Sequence, residues 1–89
     1  MVGQAMHEKQ PTKPGEYLRD QRLTLGLSLR ELEEQTEIAF TALSMFETGR
    51  RAIPRKHLRK LCEALRFTET RVAELRRLWD LDMDAREAR

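Results

Sequence analysis

With 89 residues, 39% of them hydrophobic and 36% charged, the chain has material for one small hydrophobic core and not for two. The net charge of +2 and pI near 9.0 are too mild to argue for nucleic acid by themselves, and Cys62 as the single cysteine excludes an internal disulfide or a cysteine-rich zinc site. No stretch approaches the roughly 18 apolar residues needed to cross a membrane, and the opening MVGQAMHEKQ lacks the apolar core of a secretory signal, so the expected location is the cytoplasm. Abundant Leu, Glu and Arg with few β-branched residues predict an all-α fold.

Residues 1–13 show no helical period and are expected to form a loose arm, with Lys9 and Lys13 able to touch a phosphate backbone. A first helix is predicted from Pro14 or Gly15 to Leu25, opened by proline and stopped by Gly26 in a left-handed conformation. Tyr17, Leu18 and Leu25 form its inner face. Arg22, one turn beyond Leu18, points partly inward and needs a carboxylate if buried.

Ser28 followed by Glu31 is a capping box, which predicts the start of a second helix ending near Gln35 or Thr36. Glu37 and Ile38 are read as a turn. A third helix is expected from Phe40 to Glu47, closed by Gly49, with Leu43 and Phe46 inward and Phe40, Thr41, Ser44 and Met45 outward. That outward face has no acid, which suits a negatively charged groove, but it also lacks Arg, Lys, Gln and Asn.

The segment RRAIPRKHLRK, residues 50–60, carries six Arg or Lys and one His without an acid, whereas Glu31, Glu33, Glu34 and Glu37 crowd the second helix and its turn. Pro54 opens a fourth helix with Leu58, Leu61, Cys62 and Leu65 at core spacing, and Cys62 is read there as a buried, inert thiol. Phe67, Thr68 and Glu69 then form a staple, a cap and a first-turn acid for a fifth helix, with Val72, Leu75, Leu78 and Trp79 as its inner stripe. Residues 80–89 continue in helix-forming sequence beyond the small core. Leu78, Trp79, Leu81 and Met83 are therefore expected to form an apolar dimer contact, the alternative being that Trp79 folds back over the first helix.

From Gly15 to about Leu75 the elements LR-x2-R, GLS, EL, LS-x2-E-x-G-x-R and IP-x3-L-x2-L-x2-AL follow one another in a run that resembles the phage-repressor type of helix-turn-helix, the lambda repressor and Cro family also called XRE-like. The resemblance implies a five-helix lambda-repressor-like domain over residues 14–79 with an extended C-terminal helix. It implies that Arg22 pairs with Glu47 to lock the third helix. It also implies that this helix enters the major groove of double-stranded DNA, with Phe40, Thr41, Ser44 and Met45 at base edges. Backbone phosphates would be held by Ser28, Leu29 and Arg30 at the start of the second helix and by Arg50, Arg51, Arg55 and Lys56. The function so implied is that of a nucleoid-associated transcriptional regulator, a repressor acting as a homodimer.

Four positions depart from the family pattern. Leu29 stands where many members have Gln, and Glu33 where Ala is usual. Ala39 occupies the cap of the third helix, at a cost of ~1 kcal/mol against Ser or Thr. Glu37 replaces the turn glycine, and a left-handed non-glycine residue costs roughly 1–2 kcal/mol. The apolar surface of Leu29, Phe40 and Met45 supports an alternative, a protein-binding module. Through LSLRELEEQTEI the chain is also similar to the helix-turn-helix domains of bacterial cell-shape proteins, which bind a cytoskeletal partner. An enzyme is not expected: His7 and His57 have no second ligand at metal spacing, no Ser has a base beside it, and no glycine-rich phosphate loop is present, so neither metal nor cofactor is implied.

Overall fold

The computed structural model describes residues 11–88. Most of the expected N-terminal arm, including Lys9, lies outside them. The described residues form five α-helices and no strand, as the composition predicts: α1 Pro14–Thr24, α2 Leu29–Thr36, α3 Phe40–Thr48, α4 Arg55–Ala64 and α5 Glu69–Glu87. Helix α3 packs against α1 and α2, α1 against α5, and α2 against α4.

Local chemistry sets the boundaries. The Ser28 hydroxyl accepts from the Glu31 amide at 3.0 Å and the Glu31 carboxylate accepts from the Ser28 amide at 2.7 Å, completing the capping box. Thr68 caps α5 by accepting from the Arg71 amide. Three helix ends share one design. After α1 the Gly26 amide donates to the Leu23 carbonyl and the Leu27 amide to the Arg22 carbonyl; after α3 the Gly49 amide donates to Phe46 and the Arg50 amide to Met45; after α4 the Arg66 amide donates to Glu63 and the Phe67 amide to Cys62. All are Schellman closures, which need a left-handed residue at the corner. Gly26 and Gly49 fill that position at φ 71° and 79°, but Arg66 fills the third at φ 56°.

The α2–α3 turn has no glycine either. Glu37 adopts φ 64°, ψ 20°, and its amide donates to the Glu33 carbonyl. The strain is held by neighbours: the Thr36 hydroxyl donates to the Leu32 carbonyl and accepts from the Ile38 amide, and the Lys60 ammonium donates to the Thr36 carbonyl. Ala39 gives α3 no side-chain cap.

The core comprises Leu18, Leu32, Ile38, Leu43, Phe46, Ile53, Leu58, Leu61, Leu65 and Leu75. Ile38, read from sequence as turn, and Ile53, between the Gly49 stop and the Pro54 helix start, are buried plugs that pin the two connections flanking α3. Tyr17 meets Phe67 at 5.4 Å between ring centres, so the residue before the α5 cap staples α5 to α1.

The C-terminal helix runs on to Glu87, as expected for residues 80–89, and its last turns are tied to the end of α3: Arg86 forms an ion pair with Asp82 and donates to the Gly49 carbonyl at 3.1 Å. Leu78 is buried, and the half-buried Trp79 donates its indole N–H to the Ile53 carbonyl at 2.8 Å. Trp79 thus packs against the core and seals the α3–α4 loop. Of the four residues expected at a dimer contact, Leu81 is exposed, Met83 is half-buried, and Leu78 and Trp79 are spent on the fold itself.

Candidate nucleic-acid interface

Helix α3 is set in the molecule by its buried side. Leu43 and Phe46 lie in the core, and Glu47, although charged, is 8% exposed. The Arg22 guanidinium reaches across from α1 with two hydrogen bonds to the Glu47 carboxylate, at 2.7 and 2.9 Å, and a third to the Leu27 carbonyl at 2.8 Å. A planar fork matched to a carboxylate in this way is the strong form of ion pair. Donating to Glu47 raises the Arg22 pKa above its ordinary value, so the guanidinium keeps its charge.

A second device brings α1 and α3 together. A Cβ placed on Gly15 would collide with the backbone carbonyl oxygen of Phe46 and press on that of Glu47. Only glycine permits this approach, which the sequence shows merely as a small residue near a helix start. Its detectable signal is a glycine where helix propensity favours alanine.

The opposite side of α3 faces solvent. Thr41 and Met45 are exposed and Phe40 and Ser44 are half-buried, so all four expected contact residues lie on the accessible surface. Phe40 is not a bare apolar residue: the Arg30 guanidinium, from the first turn of α2, lies over its ring at 4.3 Å from the centre. Leu29 is half-buried beside Ser44, both lining one crevice with Arg19 and Arg22.

The basic residues divide. Arg50 and Arg51 follow the end of α3, both exposed, their amides donating to the Met45 carbonyl, so they project from the terminus of the presented helix. Ser28 is exposed but its hydroxyl is engaged in the cap. Arg55 and Lys56 are both exposed on α4, and Arg55 also borders an apolar cleft of about 430 Å³ between α4 and α5 with Leu58, Cys62, Phe67, Val72 and Arg76. That cleft leaves Cys62 and Val72 half-buried, where the sequence reading put both fully inside. Burial still raises the Cys62 pKa, keeping it a thiol at neutral pH.

His57 is half-buried on α4, 6.2 Å from the Phe46 ring, with an Nδ1 that is buried and has no hydrogen-bond partner. Desolvation first, then Lys56, Lys60 and Arg51, lowers its pKa, so the imidazole is neutral at pH 7 and packs as an apolar body behind α3. Among the described residues no group of His, Cys, Asp and Glu could hold a metal ion, and no helix is long and apolar enough to cross a membrane.

Two short helices with a tight turn, the second locked from behind and open in front, constitute a helix-turn-helix. A family model described as "Helix-turn-helix domain" matches residues 15–75, more than half of the chain. The chain belongs to the helix-turn-helix domain family. No curated protein and no solved structure matches it. The matched span opens at the Gly15 close approach and ends at Leu75 in the core, so it contains the whole helix-turn-helix, all of α4 and the first turns of α5.

Proposed function

We propose that the domain is a sequence-specific DNA-binding transcriptional regulator of the phage-repressor type that places α3 in the major groove and acts as a homodimer on paired half-sites. The observation that carries this reading is the setting of α3. Its buried face is locked by the Arg22–Glu47 pair, its accessible face is free of acids, and Arg50 and Arg51 extend from its end toward whatever the helix meets. A helix that must enter a polyanionic groove needs a fixed orientation and cations placed to hold the phosphates at its rim. In this arrangement Thr41 and Ser44 offer hydroxyls to base edges and Met45 an apolar contact for a thymine methyl, while Arg50, Arg51 and Lys56 hold the backbone. Repression would follow from occupying a promoter on the nucleoid.

The competing reading, a protein-binding module, needs a broad apolar face. Arg30 covers Phe40, which leaves Met45 as the exposed large apolar residue of α3. An interface anchored on that residue alone is small for a stable protein contact.

Selection of bound fragments from random duplex DNA tests the proposal. The expected product is a two-fold repeated site with half-sites about one helical turn apart. Changing Arg50 and Arg51 together to Ala should lower affinity on all sequences and reduce the slope of log affinity against log salt by about two. No retention of DNA even at low salt would end the DNA reading. Loss of a co-purifying protein on Met45→Ala, with DNA binding intact, would favour the alternative.

A further inference from the structure

We propose that Arg30, held on the face of Phe40, is the guanine-reading group of this domain, a specificity determinant contributed by α2 to a recognition helix that has no base-reading cation or amide of its own. The inference rests on the DNA-binding reading above and deepens it.

Helix α3 offers no Arg, Lys, Gln or Asn on its accessible face. These are the side chains that make bidentate contacts to purines in the major groove, and each good bidentate pair discriminates strongly against a wrong base. Arg30 supplies the missing chemistry at the right end of the helix. It sits in the first turn of α2, and its guanidinium lies over the ring of Phe40, the first residue of α3.

Its conformation is selected. Glu33 and Glu34 stand three and four residues further along the same helix, the spacing for local ion pairs. Among the described residues Arg30 nevertheless forms no ion pair, whereas Arg59, Arg77 and Arg86 all pair with acids on their own helices. The aromatic face holds Arg30 instead.

Stacking has a chemical consequence that pairing would not. A guanidinium held over a ring is bound through the ring's π face and not through its N–H groups, so its donors remain free for another partner. Two parallel guanidinium donors match the O6 and N7 acceptors of guanine. The ring also restricts a flexible side chain before binding, which lowers the entropy lost on contact. Phe40 therefore acts as a positioning residue for Arg30 and as an apolar neighbour for the adjacent base.

The test is selection from random duplex DNA with the intact chain and with Arg30→Ala, Arg30→Lys and Phe40→Leu, each checked for an unchanged helical spectrum and melting curve. The intact chain should select a G·C pair at one position of each half-site. Arg30→Ala and Arg30→Lys should both lose that preference, reducing discrimination there roughly 5- to 150-fold, while other positions keep theirs. Phe40→Leu retains an apolar body but removes the π face, and should weaken the same G·C preference. A selected site that is unchanged in the Arg30 variants, with affinity lowered equally on every sequence and a salt slope smaller by about one, would make Arg30 a phosphate contact and overturn the proposal alone. Failure of the intact chain to retain DNA would overturn the DNA reading and this proposal with it.

Discussion

The α1–α3 seam and the α4–α5 cleft are built from different kinds of residue and end in opposite states. At the seam, Gly15 lets two backbones touch and the forked Arg22–Glu47 pair fills what remains, so the presented helix has one position. At the cleft, Leu58, Phe67 and Val72 face a space of about 430 Å³ that no side chain fills, and the corner between the helices carries Arg66 at φ 56° where the α1–α2 corner has glycine. Close packing demands a missing Cβ and a satisfied charge; ordinary apolar residues at helical spacing secure burial without contact. Precision in this domain is concentrated behind α3.

The largest break in that contrast should come from Glu47→Ala. It leaves Arg22 charged in the interior without its carboxylate, and losing one partner of a buried pair costs roughly 3–5 kcal/mol; chemical denaturation should show a midpoint shift of that size. Gly15→Ala comes next. Alanine normally favours a helix, but here its methyl must push α1 off the Phe46 carbonyl, with a loss at the upper end of the roughly 1–3 kcal/mol typical of overpacking and a lower melting temperature as the readout. A stabilising outcome would mean that the seam is looser than the geometry shows.

On the cleft side the signs reverse. Arg66→Gly should raise stability by up to about 1 kcal/mol, because it removes left-handed strain at an exposed position, offset in part by the greater freedom of glycine in the unfolded chain. Adding a methyl at Val72, as in Val72→Ile, should move stability by no more than about 0.5 kcal/mol, since the cleft has room for it. A cost matching that of Gly15→Ala would show the cleft to be closed in solution.

The smallest effect expected is a dependence on pH through His57. Its folded pKa lies below the ordinary 6.5, mainly because burial disfavours the cation. The unfolded chain then binds the proton more readily than the folded one. The contribution is fully present above about pH 6.5, the ordinary histidine value, and is lost as pH falls through the depressed folded value. Melting temperature followed through that window should fall with acidity in the native chain, and less so in His57→Phe, which keeps a ring against Phe46 and has no proton to gain.

Much of the fold was legible locally. The capping box at Ser28 and Glu31, the Thr68 cap, Gly26 and Gly49 as left-handed stops, and the leucine spacing of α4 are short-range chemistry, and the structure has each. The candidate site was legible to the extent that α3 has one apolar and one acid-free face. What sequence reading missed involves partners far apart in the chain. The hydrogen bond of Trp79 could not be read from sequence, because its acceptor, the Ile53 carbonyl, is a backbone group that no composition reveals. Ile38 and Ile53 looked like loop residues because a single apolar residue has no period to betray its burial.

By itself, then, the sequence determined the helices, their ends and their inward faces, since caps, left-handed corners and hydrophobic periods act within a few residues of where they are written. Tertiary structure alone decided that Gly15 is a point of backbone contact, that α5 returns to Gly49 through Arg86, and that Arg30 rests on Phe40 and not on the glutamates beside it. Each of those depends on which surfaces meet once the helices are packed, and the local rules carry no information about that.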